Sequence, residues 1–170
     1  MEFRKDELHF GGVSVSELVK KYGSPLYVYE GDVIRAQYKS LIDNIHYPHL
    51  RLHYAVKANA SVPILKIIRS LGAGVETVSK GKILLALKAG FRPGQVIYTC
   101  NGAEEEELKY LIEKGIMINI DSLDQLEKWG KMNPGSKVSL RLNLDIGAGS
   151  HIYITTGGRK SKFGIHISKI

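Results

Sequence analysis

Short apolar runs alternate along this chain with longer stretches of three-to-four-residue periodicity. Residues 13–22 place Val15, Leu18 and Val19 on one helical face, with Ser14 or Ser16 as the cap and Gly23-Ser24-Pro25 as the stop. Residues 26–29 read as a short strand and 32–45 as a helix. From residue 52 a regular rhythm sets in. Strands are predicted at 52–56, 74–78, 96–99, 116–120 and 137–144, with helices at 62–71, 80–89, 104–114 and 123–131 between them. Four consecutive glutamates, Glu104 to Glu107, suit the positive N-terminal end of a helix. Gly72, Gly90 and Gly115 stand where helices should end. Such alternation argues for an α/β fold of βαβ units around a parallel sheet. About five units result, either in an open doubly wound sheet or in part of a (β/α)8 barrel. A complete barrel takes about 250 residues, so the 170 residues here are expected to hold an incomplete one, as a portion of a longer protein.

Composition narrows the function classes. Apolar residues make up 44% of the chain and charged residues 24%, as in an ordinary globular domain. No run of about 18 uncharged apolar residues occurs, so no transmembrane helix is predicted. The opening, Met1 to His9, is charged and lacks the apolar core of a secretory signal. A single cysteine, Cys100, excludes an internal disulfide framework, and the expected compartment is the cytoplasm. The net charge of +7 raises the question of an anionic partner. The basic residues are spread out apart from Arg159, Lys160 and Lys162, and neither zinc-finger spacing nor an RNP-like motif is present. No nucleic acid is therefore expected. A small phosphorylated or carboxylated molecule fits better.

One residue stands out for chemistry. Lys57 ends the apolar strand Leu52-His53-Tyr54-Ala55-Val56. Catalytic groups of barrels gather at that end of the strands. A partly desolvated amine there is able to attack an aldehyde, as a Schiff-base lysine does. Most strand-end lysines are merely solvated, so position alone does not decide the matter.

The local sequence goes further. Tyr54-Ala55-Val56-Lys57-Ala58-Asn59 resembles the cofactor-lysine motif of the fold-type III pyridoxal-phosphate enzymes, which include alanine racemases and the ornithine, arginine and diaminopimelate decarboxylases. Tyr22-Gly23-Ser24-Pro25-Leu26-Tyr27-Val28-Tyr29 is similar to the YGTPLYVYD opening of the diaminopimelate decarboxylases. Residues 71–82 resemble their LGxGxDVVSGGEL segment, and Arg141-Leu142-Asn143-Leu144 their RxNP strand. Gly147-Ala148-Gly149-Ser150-His151, then Thr156-Gly157-Gly158 and Ser161-Lys162-Phe163-Gly164-Ile165, match a GxGxH…TGG…SKFGI stretch of the bacterial members. Three positions depart from the pattern. Glu76 replaces an aspartate, Lys82 a glutamate and Leu144 a proline.

The resemblance implies a partial, alanine racemase-like (β/α)8 barrel. Residues 1–30 would lead into it and 31–170 would form the incomplete cofactor-binding barrel. It implies pyridoxal 5'-phosphate carried on Lys57, with Glu76 and Arg141 lining the cofactor pocket. Arg141 has an alternative reading as a structural partner of Glu76. Tyr54 points away from Lys57 and is as readily a wall residue as a cofactor contact. Cys100 reads as a structural cysteine, and His151 as part of a diagnostic loop. In this family the ring-stacking histidine, the glycine-rich phosphate loop, the acid that pairs with the ring nitrogen and a C-terminal β-domain all come later in the chain. The 170 residues alone are therefore expected to be inactive. For the full-length protein the resemblance implies decarboxylation of a small amino-acid substrate, meso-diaminopimelate, to L-lysine by a homodimer. The alternatives are a decarboxylase of ornithine, arginine or carboxynorspermidine, a racemase or small cofactor-carrying barrel protein, and a non-catalytic anion-binding βα module.

Overall fold

The computed structural model describes residues 1–4, 6–147, 151 and 154–170. The chain opens with a three-stranded antiparallel sheet of β1 (Glu2–Arg4), β2 (Glu7–Phe10) and β3 (Val13–Ser14). The β2–β3 turn is the pair Gly11-Gly12, whose φ values are +55° and +83°. Positive φ at both central residues matches the twist of the flanking strands, and glycine reaches it with no Cβ to clash. Helix α1 (Val15–Tyr22) follows directly. Its cap is Ser14, whose Oγ accepts from the Glu17 N–H at 3.1 Å. Residues 26–29, expected as a strand, have no ladder partner among the described residues. Helix α2 (Gly31–Asn44) then leads into the parallel sheet.

That sheet holds β4 (His53–Ala55), β5 (Gly74–Thr77), β6 (Val96–Thr99), β7 (Met117–Ile120) and β8 (Ser139–Leu140), in chain order and all parallel. Helices α3 (Val62–Ser70), α4 (Lys80–Lys88), α5 (Glu105–Lys114) and α6 (Leu123–Met132) connect successive strands. Ser79 and Ser122 cap α4 and α6 through their hydroxyls, and Gly115 ends α5 in the left-handed region. No helix among the described residues is long and apolar enough to cross a membrane.

Strand alternation gives the sheet two unlike faces. Val75, Thr77, Val96, Tyr98, Ile118 and Ile120 are buried. They meet Ile64, Leu65 and Ile68 of α3, Ile83 and Ala86 of α4, Leu108 and Leu111 of α5, and Trp129 of α6 in one core. Each large aliphatic side chain enclosed there stabilises the fold by about 1.5–3 kcal/mol. The opposite face carries Ala55, Glu76, Ile97, Thr99, Asn119 and Ser139, in register across the strands and none of them fully buried.

The strand expected at 137–144 is two short ladders. Its first part, β8, pairs with β7, and β9 (Leu142–Asn143) pairs in parallel with β10 (Ile165–His166). The switch occurs at Arg141, whose N–H donates to the Ile120 carbonyl at 2.8 Å and whose carbonyl accepts from the Ile165 N–H at 2.8 Å. Staggered pairing of this kind is what closing a sheet into a barrel demands.

Candidate functional site

Lys57 lies in a turn immediately after β4. Val56 N–H still donates to the Glu76 carbonyl at 2.9 Å, and Ala58 N–H folds back onto the Ala55 carbonyl at 3.0 Å. The chain beyond is tied down too. Tyr54 O–H donates to the Asn59 carbonyl at 3.3 Å, and Asn59 Oδ1 accepts from the Ser61 N–H at 2.9 Å. Val56 is wholly enclosed while Lys57 is exposed, and the lysine amine has no hydrogen bond or ion pair among the described residues. The backbone is thus fixed, and the amine is without a partner among the described residues. Tyr54 packs against the core, as the wall reading expects, and burial raises its phenol above the ordinary value.

Glu76 is the neighbour of Ala55 on β5. It is half-buried, on the sheet face away from the helices, and its carboxylate has no partner among the described residues. Along that face Asn119 Nδ2 donates to Thr99 Oγ1 at 3.4 Å, so the surface beside Glu76 is polar.

Arg141 is placed differently from one expectation. Its carboxylate partner is Asp121, with Nη1 to Oδ1 at 3.1 Å, and not Glu76. The reason is distance along the sheet. Three strand spacings of about 4.8 Å separate β5 from β8, whereas Asp121 follows the adjacent β7. The guanidinium carbon also lies 4.6 Å from the centre of the Phe163 ring. Asp121 was not singled out from the sequence. The available signal was the one that marked Lys57, a charged residue closing the apolar run 116–120.

Two other sequence features fall into place. Lys82 is the third residue of α4, and its N–H donates to the capping Ser79 Oγ at 3.4 Å. A glutamate there would complete a Ser-x-x-Glu capping box. The departure thus falls in the first turn of the helix. Of the loop 147–151, residues 148–150 lie outside the described residues. His151 is exposed, and its carbonyl accepts from Thr155 Oγ1 at 3.0 Å. Cys100 is half-buried, and its carbonyl accepts from Gln125 Nε2 at 2.8 Å. No group of three or more potential metal ligands occurs among the described residues.

Comparison with known proteins places these features in context. Residues 32–170 match the family model for the pyridoxal-dependent decarboxylases, pyridoxal binding domain. The diaminopimelate decarboxylase of Methanothermobacter thermautotrophicus is 38% identical over 164 residues, covering 95% of this chain and 38% of that protein. A crystal structure of diaminopimelate decarboxylase from M. jannaschii has a TM-score of 0.87 at 27% identity, covering 99% of this chain and 41% of that one. The diaminopimelate decarboxylase of Helicobacter pylori complexed with L-lysine has a TM-score of 0.84 at 28% identity, covering 91% of this chain and 40% of that one. The chain thus spans about two fifths of the length of the relatives it matches. Of the two architectures open to the sequence pattern, the incomplete (β/α)8 barrel is the correct one.

Proposed function

The chain belongs to the pyridoxal-dependent decarboxylases, in their pyridoxal-binding domain, and from that premise we propose that the full-length protein removes one carboxylate of meso-diaminopimelate, at the D-centre, to yield L-lysine and carbon dioxide. The cofactor is pyridoxal 5'-phosphate. Lys57 is its attachment point, and Glu76 and Arg141 line its pocket. The observation that carries this reading is Lys57 itself, an unpartnered amine on a pinned turn at the end of a parallel strand, within the Tyr54–Asn59 motif.

The residues present fit such a group. The free Lys57 amine suits an aldehyde carbon. The unpartnered Glu76 carboxylate offers acceptors beside it, and Arg141 offers planar N–H donors. When bound, the pyridoxal ring supplies a sink for the electron pair released as the carboxylate departs. The chain's own contribution is orientation. The 55–58 turn holds the Lys57 backbone, with Val56 beside it enclosed in the core.

Residues 1–30 form the lead-in and 31–170 the first part of the cofactor-binding barrel. The working unit is a cytoplasmic homodimer taking a small amino acid. The family resemblance, the lone cysteine and a relative crystallised with L-lysine support this.

The test uses the full-length protein with added pyridoxal phosphate, borohydride reduction and peptide mass spectrometry. An absorbance band at about 410–430 nm, typical of a cofactor tuned by its protein, is expected together with label on Lys57. Carbon dioxide release should then be greatest from meso-diaminopimelate. Preference for ornithine or arginine would transfer the substrate to those relatives. Label on another lysine, or none, would overturn the cofactor assignment.

A further inference from the structure

Asp121 is a carboxylate with a side-chain exposure of 0%. It draws together the ends of neighbouring strands. Its own residue follows β7. Its Oδ1 accepts from Arg141 Nη1 at 3.1 Å and from the Gly164 N–H, just before β10, at 3.1 Å. Its N–H donates to Gln125 Oε1 at 2.8 Å, and Gln125 in turn donates to the Cys100 carbonyl at the end of β6. Its Oδ2 is buried with no hydrogen-bond partner.

A buried carboxylate bound on one oxygen, facing a guanidinium whose side chain is 30% exposed, is a poor stabilising device. The desolvation of the pair rivals its attraction, and a neutral pair of similar shape often serves stability as well. What the arrangement does achieve is orientation. Arg141 is held by Asp121 on one N–H and by the Phe163 ring against its guanidinium carbon. Its other donors are unused among the described residues. We propose that Asp121 is a positioning residue that fixes the plane of Arg141 so that those donors face the cofactor. This rests on the reading above, in which Arg141 lines the pocket.

The experiment is a double-mutant cycle on the full-length protein, read by pyridoxal phosphate affinity and by the absorbance of the bound cofactor. Wild type comes first, because failure to bind, or label away from Lys57, sinks the functional reading and not the role of Asp121. Given binding, R141Q and D121N are each expected to weaken affinity by about tenfold and to move the band, while D121N/R141Q is no weaker than R141Q alone, as coupled neighbours behave. Asparagine keeps an oxygen acceptor for the Gly164 N–H but removes the charge that holds the guanidinium, and Arg141 is exposed enough to rehydrate. Wild-type affinity and spectrum in D121N or in R141Q overturns the proposal. So do losses that multiply in the double variant, since Asp121 then does not act through Arg141. If D121N does not fold, Asp121 serves stability, and the proposal is likewise overturned.

Discussion

Gly164 meets two demands at once. Its φ is +79°, and a Cβ there would lie 3.0 Å from the Arg141 carbonyl oxygen and 3.2 Å from the Asn143 nitrogen. Both neighbours are backbone and have little room to give. Gly164→Ala should therefore cost about 1–3 kcal/mol, visible as a lowered melting temperature of the full-length protein. Tyr98 predicts a pH effect. It is fully buried, it donates to Glu107 Oε2 at 3.0 Å, and burial is the first cause that pushes its phenol far above the ordinary range. The unfolded chain ionises near pH 10 while the folded one keeps the proton, so stability should fall as pH rises above about 10. Tyr98→Phe should flatten that alkaline limb in pH-dependent denaturant melts, at a cost of about 1–2 kcal/mol at neutral pH for the lost hydrogen bond. An unchanged limb would mean that another group carries it. The place of Lys57 at the end of a strand was legible in the sequence, because an apolar run leads up to it. Asp121 has the same strand-end signature, but its meaning lies in Gly164, forty-three positions away. Nothing short of strand order shows that Arg141 meets Asp121 and not Glu76.

At the level of elements, α4 starts with a fault. Ser79 caps it, yet its first turn contains Lys80 and Lys82 and no acid of its own, the carboxylate at that positive end being Glu107, whose Oε1 accepts from the Lys80 N–H at 3.2 Å. Lys82→Glu should raise stability by about 0.5–1 kcal/mol by completing the capping box. The cofactor spectrum should not change. A lower melting temperature, or an altered spectrum, would assign Lys82 to the site instead. The helices from α3 onward, and the strands β4 to β7, follow the apolar periodicity closely, because each lays one face on a shared core. Several elements did not follow it, among them Val13–Ser14, which form β3 instead of opening the helix. Strand β1 is exposed along its whole length, so it has no apolar alternation to read. Residues 26–29 have strand-like composition, but pairing, which composition does not specify, is missing among the described residues. The division at Arg141 depends on which neighbour each half of the strand meets, a property of the assembled sheet.

At the level of the molecule, β4 has no second strand neighbour among the described residues. Beside it lies a cleft of about 430 Å3, lined by Val33, Tyr38, Leu41, Tyr54 and Ile68 among others. An unpaired edge next to apolar surface invites association. Residues 1–170 expressed by themselves should therefore elute as oligomers in size-exclusion chromatography with light scattering. A monodisperse monomer would refute this. The order of the sheet has another consequence. Each strand pairs with the one before it at a separation of about twenty residues, from His53 with Gly74 to Asn119 with Ser139. At about 5–20 residues per second on the ribosome, a new strand emerges every few seconds to find its earlier neighbour already in place. Assembly is able to keep pace with translation, so that this part of the barrel is laid down in the order of its manufacture.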